Sequence, residues 1–319
     1  MVKAGAVVPT CLMATLTLTA QVASGQDFPN RPLRIVTLVA GGGNDIQARI
    51  IAPVLAAALR QPVIVDNRGV SLVAIETVAK AQSDGHTVLY NGASLWTMPL
   101  LQKVTYDVFR DFSPVSQVAR EVYVMAVHPS LPAKSTKELI ALAKAKPGTL
   151  NFATSSIGGS THMSGVLFRS LTGVDIVNIN YKGTGPALTA LISGEVQIMF
   201  ANATIALTQM KAGKVRGLAV TSATPSVLVP GVPPVGETVP GYESIAMTGV
   251  FTPAKTPVTV INHLNQEIVR ALNQSEIKDR FVTSGAEAMS SSPQRFAAAI
   301  KGDVAKSAKL IKDAGITPE

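Results

Sequence analysis

Short β-rich apolar runs alternate along most of the chain with stretches whose apolar residues recur at helical spacing. Residues 33–39 form the first such run, a glycine loop occupies 40–44, and 45–59 carries Ile46, Ile50, Ile51, Val54, Leu55 and Leu59 on one helical face. A second strand at 62–65, a helix at 72–81 and a strand at 87–90, entered through Ser83, Asp84 and Gly85, complete one unit. Alternation of this kind predicts a mostly parallel sheet with helices on its faces.

The pattern restarts after the apolar run 122–127 and the loop 129–132. Helices at 136–145, 161–171, 186–192 and 204–212 separate strands at 151–154, 176–181, 197–200 and 215–220. Gly173, Gly194 and Gly213 stand where left-handed helix stops belong. Proline and glycine crowd 223–242, which predicts an extended surface connection. Beyond it the chain predicts a strand at 246–251, helices at 258–272 and 275–284, and a long closing helix at 292–314. No repeat period stands out, so a solenoid is not expected.

The opening residues do not fit this pattern. Lys3, an uncharged stretch over 4–20 and the small residues Ala23, Ser24 and Gly25 predict a signal peptide at 1–25, with the mature chain starting near Gln26. The single cysteine, Cys11, falls inside it, so the mature chain is expected to use no disulfide and no thiol chemistry. Apolar residues make up 47% of the chain and charged ones 15%, the balance of a packed globular protein. The formal net charge is +8, or +7 once Lys3 is removed (8 − 1). It is spread without like-charge runs and aromatics are only 5%, which argues against nucleic acid and for a surface that mildly favours anions.

In an open parallel sheet ligands gather beyond the carboxyl ends of the strands, so the strand-to-helix loops are the candidate site. Ala40, Gly41, Gly42, Gly43 and Asn44 bring unobstructed backbone N–H groups to a helix start, a device suited to an anion. Ser156, Gly159, Ser160, Thr161 and His162 repeat it in the second unit, with Ser160 as the expected N-cap. Tyr181 and Lys182, Ala201 and Asn202, and Ser94 in the loop 91–94 are the further candidates; Trp96 reads as core. A Gly-x-Ser-x-Gly elbow, a His-Glu-x-x-His helix and a Cys/His ligand cluster are all missing from the sequence, and the four histidines have no ligand spacing. Binding without chemistry, cofactor or metal is the expectation.

At this point the chain resembles the extracytoplasmic receptors of tripartite tricarboxylate transporters, the Bug family. The resemblance runs nearly full length, through the segments 29–36, 40–45, 66–68, 84–87, 106–115, 128–132, 151–154, 159–162, 181–183 and 213–222. It implies a type II periplasmic-binding fold, two α/β lobes joined by two crossover strands and closing on a carboxylate. The expected lobes are 26–127 plus 246–319, and 128–245. It also implies that the loops at 40–44 and 156–161 hold a carboxylate largely through backbone amides and bound water. Leu38 and Val39 stand where the family usually has aromatic and proline residues. Ala201 stands where it usually has an aspartate, so a purely acidic ligand is expected. A small carboxylate and membrane transporter subunits are the expected partners of a periplasmic monomer. A receptor that serves a sensor kinase, and a secreted enzyme using Ser160 or His162, are the alternatives.

Overall fold

The computed structural model describes residues 1, 2, 5 and 28–317. Cys11 and the expected cleavage region near Gly25 therefore lie outside the described residues.

The chain folds in the order β1 (Leu33–Thr37), α1 (Gly43–Leu59), β2 (Val63–Asn67), α2 (Ser71–Ala79), β3 (Thr87–Gly92), α3 (Ser94–Thr97) and α4 (Val108–Asp111). A long strand β4 (Phe112–Val127) leads into α5 (Thr136–Ala145), β5 (Leu150–Thr154), α6 (Ser160–Thr172), β6 (Ile176–Asn180), α7 (Thr184–Ser193), β7 (Ile198–Asn202), α8 (Ala203–Lys211) and β8 (Arg216–Val220). The chain then returns through β9 (Ile245–Pro253), α9 (Val258–Asn273), α10 (Ser275–Thr283), β10 (Ala286–Ala288) and α11 (Pro293–Asp313).

Parallel pairing joins β2, β1 and β3 in one lobe and β6, β5 and β7 in the other. The expectation of a mostly parallel sheet is corrected at the centre, where β9 and β4 run antiparallel to their neighbours. Strand β4 belongs to both sheets. Its residues up to Val122 pair with β9, and Tyr123 to Val127 pair with β7 and β8. The change of partner falls between Val122 and Tyr123.

Each sheet is covered on both faces, which explains why its strands read as apolar runs rather than strict alternations. In lobe 1, Ile51 and Leu55 of α1 join Leu264 and Ile268 of α9 on one face, and Ile75, Trp96, Phe251 and Phe296 pack on the other. Lobe 2 buries Phe152, Phe168, Phe200 and Tyr242 on one face and Leu191, Met199 and Val220 on the other. The segment 223–242 departs from the expected surface connection: Val229, Val232, Val235, Val239 and Tyr242 are buried, and their burial outweighs the proline and glycine signal. Gly173, Gly194 and Gly213 take positive φ of 66°, 81° and 67°, as helix stops do. The C-terminal helix α11 touches both lobes, through Phe296 in lobe 1 and through Ile311, which packs with Met163 of α6.

Candidate functional site

A cavity of about 110 Å³ opens between the lobes. Its walls come from the loops after β1, β2, β3, β5, β6 and β7 and from β4 and β9, because the carboxyl ends of the parallel strands of both sheets converge there.

Besides the single turn α3 that starts at Ser94, four longer helices bring N-termini to this cleft, through Gly43 of α1, Ser71 of α2, Ser160 of α6 and Thr184 of α7. None of the four has a side-chain cap. Their first-turn N–H groups are left for a ligand or water, and each terminus carries roughly half a positive charge from the helix dipole. Two come from each lobe, so the positive ends face one another. Among the described residues no Lys, Arg or His lines the cavity.

The glycine loop is built for this presentation. Gly41 adopts φ 76°, Gly42 donates to the Val39 carbonyl at 3.2 Å, and the Gly41 N–H is held by Asp45 at 2.8 Å. Asp45 is buried and also receives Arg49 and Asn67, each at 2.8 Å, and Asn67 reaches the Leu38 carbonyl at 2.9 Å. The β1–α1 turn is thereby fixed from behind, while Gly42, Gly43 and Asn44 line the cleft.

Of the residues expected from sequence, Gly42, Gly43, Asn44, Ser94, Ser156, Gly159, Ser160, Thr161 and Asn202 line the cavity. Ala40 and Gly41 are exposed on its outer side, and their part is to shape the turn. Ser160 is not the N-cap: Gly159 takes that place, and Ser160 lines the cleft as the first residue of α6. His162 turns inward, its Nδ1 accepting from Gly158 N–H at 3.1 Å, and burial followed by the nearby Arg169 lowers it to about 4. Tyr181 donates to Glu195 at 2.7 Å, Lys182 is exposed, and Ala201 is a core residue. None of these four lines the cleft; Gly183 and Thr184 take the place expected for Tyr181 and Lys182.

Sequence reasoning missed Glu121, Tyr123, Ser71 and Thr248 and singled out Ser94 rather than Asn91 in the loop 91–94; all of these line the cavity. Glu121 is the informative omission. It is only 4% exposed, and it accepts from Gln47 on Oε1 and, on Oε2, from Asn202 at 3.1 Å and Tyr123 at 3.3 Å. Burial pushes its carboxyl above the usual range, and these three hydrogen bonds work in the opposite direction. A lone acid within the apolar run around Val118 and Val122 was the available signal.

A four-terminus cleft between two sheets that share a strand defines a two-lobed periplasmic-type solute-binding protein. The chain matches the family described as tripartite tricarboxylate transporter family receptor over residues 47–316, and it belongs to that family. It is 32% identical over 310 residues to protein BugT of Bordetella pertussis, with 95% of each chain covered. It superposes on R. palustris Rpa4515 with adipate at a TM-score of 0.88 and 32% identity, covering 92% of this chain and all 100% of that one. MatC of Rhodopseudomonas palustris with bound malate gives 0.83 at 29% identity, covering 89% and 100%.

Proposed function

We propose that the protein is an exported receptor that captures a small carboxylate in the interlobe cleft and delivers it to a tripartite tricarboxylate-type membrane transporter. The observation that carries this reading is the set of four uncapped helix N-termini facing one another from both lobes. A carboxylate placed among them receives backbone N–H donors and favourable dipoles without a basic side chain. Adipate and malate in the two similar structures support the ligand class, and the family supports the transporter. Among the described residues no helix is long and apolar enough to cross a membrane, which suits a receptor released into the periplasm. Its proposed role is binding rather than turnover, and the buried His162 accepts from the Gly158 N–H.

A thermal-shift screen of the mature protein tests the ligand class. A ligand of the native state raises the melting temperature, by about 2.7 kcal/mol of stabilisation at a hundredfold excess over its dissociation constant. Shifts with aliphatic or hydroxy acids are expected; shifts only with neutral sugars or cationic amino acids would refute the reading. Uptake of the identified acid should disappear when either this gene or the membrane subunits are deleted.

A further inference from the structure

Two polar side chains in the cleft have one-sided hydrogen bonding. Asn91 on β3 is fully buried, and its amide orientation is fixed because Oδ1 accepts from the Gly92 N–H at 2.7 Å and the Ser94 hydroxyl at 2.9 Å. Its Nδ2 has no partner among the described residues, although Asn91 lines the cleft. Buried amide hydrogens without an acceptor are rare in folded proteins. An oxygen of the ligand would complete this one.

Glu121 on β4 is its opposite. The Asn202 amide is oriented by the Thr204 N–H, which donates to its Oδ1 at 3.0 Å, so its Nδ2 must donate to Glu121. The Gln47 amide accepts from the hydroxyls of Tyr90 at 2.6 Å and Thr248 at 2.8 Å, which likewise turns its Nε2 toward Glu121. The Tyr123 hydroxyl donates to Glu121 Oε2 at 3.3 Å. The network therefore converges on the carboxyl as an acceptor. An ionised carboxyl offers about four acceptor positions, three of which are filled here. The N-terminus of α1 also supports its charge: a Cβ at Gly43 would stand 3.6 Å from Oε1.

The two groups are separated within the same sheet. Asn91 pairs with Gly249 and Glu121 with Ala246 on opposite sides of β9, two strand spacings apart across the sheet and three residues apart along it, or roughly 14 Å between Cα atoms.

We propose that the cleft selects an acid carrying a hydrogen-bond donor, a hydroxyl or an ammonium group, with Asn91 Nδ2 on a carboxylate oxygen and Glu121 on the donor. This rests on the carboxylate reading above and specifies it. The expectation of a purely acidic ligand came from Ala201, which is 1% exposed and off the cleft, whereas Glu121 puts a carboxyl directly into it.

Isothermal titration of the purified protein with matched sets tests this: succinate, malate and aspartate, then propionate, lactate and alanine. The hydroxy or amino member should bind at least roughly tenfold tighter than its unsubstituted partner. In Glu121→Gln the single amide oxygen is already claimed by Asn202 and Tyr123, so the preference should fall to about twofold or less. Asn91→Asp keeps the acceptor for Gly92 and Ser94 but replaces the free donor. It should weaken every acid by roughly tenfold and leave the preference intact. Circular dichroism melting confirms that each variant is folded, and the wild-type panel stands as a test without either. Equal binding of substituted and unsubstituted acids, or a preference that survives Glu121→Gln, overturns the proposal while leaving the carboxylate reading in place. Failure of all the acids to bind overturns both.

Discussion

The Thr97 hydroxyl of lobe 1 donates to the carbonyl oxygen of Gly158 in lobe 2, so the rims of the cleft are in direct contact. Gly158 has φ 69°, and a Cβ there would lie 2.7 Å from Thr97 Oγ1 and 2.9 Å from Met98 N. Gly158→Ala should push the rims apart. Left-handed backbone at a non-glycine residue adds about 1–2 kcal/mol of strain, and calorimetric titration should show an affinity roughly tenfold lower. Unchanged affinity would mean that this contact is absent from the bound form.

Trp96, the sole tryptophan in the sequence, stands next to Thr97 and donates through Nε1 to Asp303 of α11 at 2.6 Å. Its emission should therefore change on titration with a bound acid, because the rim and α11 meet around it. Asp303→Ala leaves a buried indole N–H unpaired and should lower unfolding stability by about 1–3 kcal/mol in urea melts followed by circular dichroism. A variant as stable as wild type would remove α11 from this account.

His162 makes stability depend on pH. Its folded value of about 4 lies below the ordinary 6.5, so the unfolded chain binds the extra proton between these limits. Stability is fully present above the upper limit and is lost as pH falls toward the lower one, by about 3 kcal/mol in all. Burial moves Glu121 the other way, so its contribution is greatest in acid and declines as pH rises from 4.5. His162→Asn offers an oxygen to the Gly158 N–H and cannot titrate. The loss in urea midpoint between about pH 7 and about pH 5 should be smaller in this variant than in wild type. Parallel losses would contradict the assignment.

Asp45 holds the glycine turn from behind, and its carboxylate gathers Gly41, Arg49 and Asn67. Asp45→Ala should destabilise the protein by about 1–3 kcal/mol and weaken acid binding, since the N–H groups of Gly43 and Asn44 lose their fixed direction. Hydrogen exchange at Gly41 to Asn44 should accelerate while the β3 amides stay protected. A uniform acceleration would point to global loosening instead.

The strand and helix pattern made both lobes legible, because apolar runs and helical spacing are local properties of the chain. The loops at Gly42 to Asn44 and Ser156 to Thr161 could likewise be found, since a loop between a strand and a helix has a fixed end of the sheet to occupy. Glu121 and Asn91 could not be ranked from sequence. One lies in the middle of a strand and the other at a strand end, and their importance arises from partners as distant as Asn202 and from a donor with no partner. Tyr181, Lys182 and Ala201 lie off the cavity for a related reason: a residue beside a lining loop can point outward or into the core, and one step along a strand reverses its face. The buried valines of 223–242 were obscured because proline and glycine report the path of the backbone and say little about what covers it.

Strand β4 gives lobe movement a particular mechanical form. One continuous backbone is hydrogen-bonded into lobe 1 up to Val122 and into lobe 2 from Tyr123. Rotation of the lobes must be taken up as torsion of that ribbon and of the return segment entering β9, without sliding either sheet's register. Glu121 sits two residues before Tyr123, where that strand passes between the sheets, with Gln47 reaching it from one lobe and Asn202 from the other. A ligand that engages this carboxyl therefore acts on the one strand whose backbone both sheets share.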